Sequence, residues 1–295
     1  MTRFSLRGFD QILEDVRAAR AWYASIDIPT AGTRLELIEQ KILDLIRELR
    51  SLTPEVVVER WSNADTYYVL SDGAAFGKIA REIGKIGPNL MPKKALRSIL
   101  DGPLSPRDEF SGDASVNARN LFTELELAAY FSEKGIPPTG FDDLKFRFDA
   151  VNYAVQCKRL FSPSSVGNNI EKAYHQLKRD LVTDNDRGLI ALAIEKLMDL
   201  EEKPALRVEE EADVTREVFR LAEEFRATFG LSWHNFIDPR VTAIIIILRF
   251  LCYTVKQNVI GPAYYVDFVD LASRETLQAV DVRRTRQLVS YLQRA

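Results

Sequence analysis

The side chains best suited to chemistry in this 295-residue chain cluster in one stretch, Asp142 to Arg159, which reads DDLKFRFDAVNYAVQCKR. Its alternation predicts a hairpin with residues 149–152 as a four-residue loop. That register sets Phe148 opposite Tyr153, Lys145 opposite Gln156 and Asp143 opposite Lys158. Alternate side chains of a strand share a face, as do directly paired residues. Asp143, Lys145, Arg147, Gln156 and Lys158 therefore fall on one side. Leu144, Phe146, Phe148, Tyr153, Val155 and Cys157 fall on the other, the core side. An acid, an amide and a lysine meet in one place. A further carboxylate stands upstream, where Leu121, Leu127, Ala128 and Phe131 set Glu124 in the apolar stripe of a predicted helix over 116–134. A charge there is costly unless it serves a purpose. Glu126, roughly 200° further round the helix, is expected to point elsewhere.

The scarce residues narrow the chemistry. There are two His and two Cys. A structural zinc site would need Cys157, His175, His234 and Cys252 to converge. The His175 and His234 surroundings (YHQLK, SWHNF) supply no paired-histidine phosphodiesterase pattern, and both are read as structural. Both cysteines sit in apolar runs, so a reduced, cytoplasmic chain is expected rather than a disulfide framework. An enzyme built on this sequence would use carboxylates, lysine and a metal.

Elements must hold these residues in place. The first hundred residues read as helical: Ile12, Val16 and Ala19 mark one face, and Leu35, Ile38, Ile42, Leu45, Ile46 and Leu49 mark another with a 3.6-residue repeat. Thr53-Pro54-Glu55 reads as a helix start, with further turns at 74–86 and 92–101. Residues 101–115 concentrate Gly, Pro, Ser and Asp and read as a boundary. This predicts an α-helical N-terminal module over 1–110 and a mixed α/β domain over 116–295. In the latter, strands are expected at 143–148, 153–159, 187–195, 241–248 and 264–269. Helices are expected at 116–134, 167–181, 213–229 and 274–293.

The order Glu124, Asp143, Gln156-Cys157-Lys158 resembles the PD-(D/E)xK nuclease superfamily, and QCKR is similar to the Gln-x-Lys variant of Mrr-type endonucleases. Arg119-Asn120-x-x-x-Glu124-Leu125, Lys158-Arg159 and Ala173-x-x-Gln176-Leu177 extend the resemblance over about residues 117–195. It implies a restriction-endonuclease-like sheet flanked by helices, in a metal-dependent nuclease acting on DNA in a bacterial or defence setting. Asp143 would bind Mg²⁺ or Mn²⁺, with Glu124, the Gln156 side chain and the Cys157 carbonyl. Lys158 would orient water and stabilise phosphorane charge. Lys172 and Gln176 would approach the phosphate backbone, with Lys145 and Arg159 nearby. Gln156 replaces the usual acid, which removes one negative charge. The alternative is a nuclease-fold module that binds nucleic acid or a protein without cleaving. Read from the residues alone, Asp143 and Lys158 equally make a cross-strand ion pair.

Charge is nearly balanced, 40 basic residues against 43 acidic. The balance hides a basic segment, Lys78 to Arg97, which reads either as phosphate-neutralising or as a solvated helical face. An acidic loop at 199–213 should lie away from nucleic acid. The apolar run Val241 to Val255 is interrupted by Arg249 and is too short to span a bilayer, so no membrane partner is expected. Trp22, Trp61 and Trp233 read as packing residues. The helical N-terminal module could carry a homodimer or protein contact.

Overall fold

The computed structural model describes residues 8–49, 51–53, 56, 59–60, 63–86, 93–102, 104, 114–141, 144–198, 200, 205–230, 238–257, 259–271 and 279–294. Asp143, Trp61, Trp233, His234 and most of the Thr53-Pro54-Glu55 helix start lie outside them. The helices are α1 (Phe9–Ser25), α2 (Arg34–Leu49), α3 (Ala64–Ile86), α4 (Lys93–Ser98), α5 (Ala114–Glu133), α6 (Val166–Asp180), α7 (Glu211–Phe229) and α8 (Ala279–Arg294). The strands are β1 (Pro138–Phe141), β2 (Leu144–Phe148), β3 (Val151–Arg159), β4 (Asp186–Ala193), β5 (Leu206–Val208), β6 (Val241–Thr254) and β7 (Val259–Asp270). The fold is mixed α/β, with a helical N-terminal region and a seven-stranded sheet.

β1, β2 and β3 form an antiparallel meander, and β3, β4 and β6 then run parallel. β6 is buried along its whole length. One edge pairs with antiparallel β7, and the other takes β4 in its first half and β5 in its last three residues. The parallel β3–β4 step requires a crossover, which α6 supplies. Val166, Ile170, Ala173 and Leu177 recur at helical spacing along α6 and are buried against the sheet.

Each face of the sheet packs on helices. Ala154, Ile190, Leu192, Ile244 and Ile246 face α6 and α7. Tyr153, Val155, Cys157, Ala191, Ile245 and Ile247 face the other way, into a core shared with α1, α2, α3, α5 and α8. The N-terminal helices are thus continuous with the sheet's packing. α1 and α3 approach closely: a Cβ on Gly77 would stand 2.3 Å from Asp15 Cβ. Among the described residues no helix is long and apolar enough to cross a membrane.

The hairpin differs from expectation. Phe148 pairs with Val151 and Lys145 with Ala154, so the ladder is displaced by two residues and the loop is the two-residue turn Asp149-Ala150. Both have positive φ, 47° and 62°, as a turn must to match the strands' twist. A shift of two preserves the faces, so Lys145, Gln156 and Lys158 still share a side. The acidic loop also needs correction, because its described part contains strand β5, with Val208 buried beside β6. Three residues are too few to show an alternation in sequence.

Candidate functional site

β3 and α6 form the site together. Residues two apart on a strand lie roughly 6.6 Å apart, and one helical turn of four residues rises about 6 Å. Gln156 and Lys158 therefore match Asp180 and Gln176 on the antiparallel helix. Lys158 Nζ donates to Gln176 Oε1 at 2.6 Å, and Gln156 Nε2 donates to Asp180 Oδ2 at 3.4 Å. Lys145 Nζ of β2 lies 3.7 Å from Asp180 Oδ1. Gln156 is buried, and Lys158 and Gln176 are half-buried. Asp180, absent from the sequence expectation, orients the Gln156 amide. Only its position one turn beyond Gln176 could have signalled it.

The other predicted residues are distributed around this group. Glu124 is half-buried on α5, which packs on the opposite face of the sheet. Cys157 is buried on that same face and forms no disulfide. Lys172 is exposed on α6. Arg159 ends β3, its guanidinium 5.1 Å from the centre of the Phe161 ring. Lys196, just beyond β4, lies 4.9 Å from the same ring.

Mg²⁺ takes hard oxygen donors, usually including carboxylates. Among the described residues no three His, Cys, Asp or Glu side chains are grouped to hold a metal ion. Glu124, the Gln156 amide and the Cys157 carbonyl bring one carboxylate between them, short of the usual Mg²⁺ donor set.

α5 does bury a carboxylate deeply, but it is Glu126. Arg249 of β6 places Nη1 3.3 Å from Glu126 and Nη2 3.4 Å from Glu195, and Nη2 also donates to Thr123 Oγ1 at 3.3 Å. Burial pushes the Glu126 carboxyl up to about 7, against the pull of Arg249 and Lys78. Burial opposes the charge on Arg249 too, but Glu126 and Glu195 hold its pKa above the ordinary arginine range. An arginine inside the run VTAIIIILRFLCYT was the available signal, because a buried cation requires buried acids. A second buried set joins the N-terminal helices to α5, with Asp72 Oδ2 lying 3.6 Å from Arg34 and 3.2 Å from Arg119.

Among its described residues the basic segment is largely neutralised. Lys78 pairs with Glu133, Arg81 with Asp15, Lys85 with Glu82, Lys93 with Asp27 and Arg97 with Asp101, all within 3.9 Å. These pairs favour the solvated-face reading over a phosphate-binding patch.

No family model, curated protein or solved structure matches this chain.

Proposed function

We propose that this protein is a metal-dependent nuclease, hydrolysing phosphodiester bonds in DNA at a site centred on Lys158. The observation that carries the reading is the strand–helix pairing. Gln156 and Lys158, two residues apart on β3, are each oriented by a side chain of α6. A helix followed by the β2–β3 hairpin, in a mixed sheet flanked by helices, supports it, because the resemblance to PD-(D/E)xK nucleases implies that arrangement. In this reading Lys158 brings positive charge to the phosphorane, and Gln176 fixes where its ammonium sits. Gln156 is held by Asp180 through its nitrogen, which directs its oxygen away from that contact. A bound Mg²⁺ or Mn²⁺ would supply Lewis acidity and an acidified water. The described residues alone do not complete its site, so Asp143 is required.

The test is plasmid cleavage with Mg²⁺ or Mn²⁺ by wild type, Lys158→Ala and Asp143→Ala. Cleavage lost in both variants supports the reading. Wild type and variants equally inert on DNA and RNA overturn it.

A second reading, a nuclease-like module that binds nucleic acid without cutting, is favoured by the lack of a carboxylate trio among the described residues. It predicts binding with no metal-dependent turnover.

A further inference from the structure

The carboxyl ends of parallel strands are where open α/β sheets usually bind ligands. Here the ends of β3 and β4 are joined by a hydrogen bond from Leu160 N to Ala193 O at 2.9 Å. The chain just past each end carries unusual side chains. Phe161 leaves 46% of its surface exposed. Arg159 and Lys196 both lie within 5.1 Å of its ring centre, one from the end of β3 and one from beyond β4. A phenylalanine this exposed gains little from burial. Two cations on one exposed ring are also an uneconomical way to stabilise a fold, since an exposed cation–π contact is weak.

We propose that Phe161, Arg159 and Lys196 form a seat for an unpaired nucleobase, so that this site takes single-stranded nucleic acid. The proposal rests on the nucleic-acid reading above and specifies its substrate. An exposed aromatic ring stacks on a base face, and that face is accessible only when the base leaves the duplex. The guanidinium of Arg159 adds a second planar surface, and Lys196 reaches the adjoining phosphate. Phe161 is three residues from Lys158, so a base seated there keeps the strand beside the strand–helix pair. A duplex would present only phosphates to the cations and would leave the ring unused.

The test is fluorescence anisotropy in EDTA, where no cleavage is needed, with a labelled oligothymidylate and a labelled duplex. Proteins are wild type, Phe161→Ala and Phe161→Trp. Wild type should prefer the single strand. Phe161→Ala should weaken single-strand binding on the order of tenfold with duplex binding and thermal midpoint unchanged, and Phe161→Trp should retain affinity. If wild type binds and Phe161→Ala binds the single strand equally well, or both strand forms weaken alike, the base seat is wrong and the nucleic-acid reading survives. If wild type binds neither form, both fall.

Discussion

The ammonium of Lys158 is held by the amide oxygen of Gln176 at 2.6 Å, a contact between the end of β3 and the helix that follows it. Gln176 is a neutral acceptor, so it orients the lysine without itself cancelling its charge. If Lys158 stabilises the phosphorane, Lys158→Ala should lower single-turnover cleavage by about 10²–10³-fold. Gln176→Ala keeps the charge and removes its orientation, so a loss of about tenfold is expected. Lys158→Arg should not rescue, because the planar guanidinium cannot occupy the ammonium's position. Full activity in Lys158→Ala would remove this residue from the chemistry.

Arg249 is a stability element. With Glu126 at 3.3 Å and Glu195 at 3.4 Å, it neutralises two carboxylates inside the interface of helices and sheet. Arg249→Leu strands both acids, and urea unfolding should show a loss of about 3–5 kcal/mol. Adding Glu126→Leu and Glu195→Leu should recover most of that loss, because a well-packed apolar replacement removes the stranded charges. A triple variant no better than Arg249→Leu would locate the cost in packing rather than in charge.

The helices and the parallel strands were legible because hydrophobic periodicity reports them directly. Ile12, Val16 and Ala19, and the α6 stripe from Val166 to Leu177, are buried as their spacing requires. Two elements were hidden. β1 and β5 are four and three residues long and carry too few positions for a period. The hairpin register was off by two because the Asp149-Ala150 turn lacks the glycine that usually announces a tight turn. At the site, alternation placed Gln156 and Lys158 on one strand face and helical spacing placed Gln176 with Lys172 on one helix face, but that Gln176 meets Lys158 came only from the packing of α6. Arg249 in its apolar run and Asp180 one turn beyond Gln176 could be flagged locally, but the partners they meet are set by packing between segments apart in sequence. Glu124 and Glu126 show the same limit, since apolar neighbours along α5 did not reveal which face meets Arg249.

Glu126 predicts a pH dependence. Its carboxyl is raised by burial to about 7, whereas an unfolded glutamate titrates near 4.3. Between these values the folded protein holds a proton that the unfolded chain has released, so stability falls as pH rises through this window and is level outside it. Glu126→Gln mimics the protonated form and removes the slope. The unfolding free energy of wild type minus that of Glu126→Gln should drop by about 2–3 kcal/mol from pH 4.5 to pH 8. A difference that stays constant would mean Arg249 holds Glu126 charged throughout.

The Asp149-Ala150 turn stores strain at a known place. Ala150 has φ of 62°, a left-handed conformation costing about 1–2 kcal/mol for a residue with a Cβ. Its carbonyl accepts from Asn185 Nδ2 at 2.6 Å, which helps hold it there. Ala150→Gly relieves the strain but frees the unfolded chain, so a net gain of about 1 kcal/mol is expected. Denaturant midpoints would measure it. A loss would show that the backbone there is held by something other than the turn.

Gly77 marks a close approach between α1 and α3. An added methyl would meet Asp15 Cβ at 2.3 Å, Asp15 Cγ at 2.7 Å and Asp15 Cα at 2.9 Å. The last is backbone, so no rotamer change relieves it and the two helices must separate. Separation also pulls Arg81 from Asp15, now 2.9 Å apart. Gly77→Ala gains about 1 kcal/mol of helix propensity but should lose about 2–3 kcal/mol to overpacking, lowering the thermal midpoint by about 3–6 °C. Gly73→Ala should be milder, because its shortest contact, to the Ile12 Cγ2 methyl, is 2.9 Å rather than 2.3 Å and none of its three nearest neighbours is backbone. Equal midpoints for the two variants would refute the close approach at Asp15.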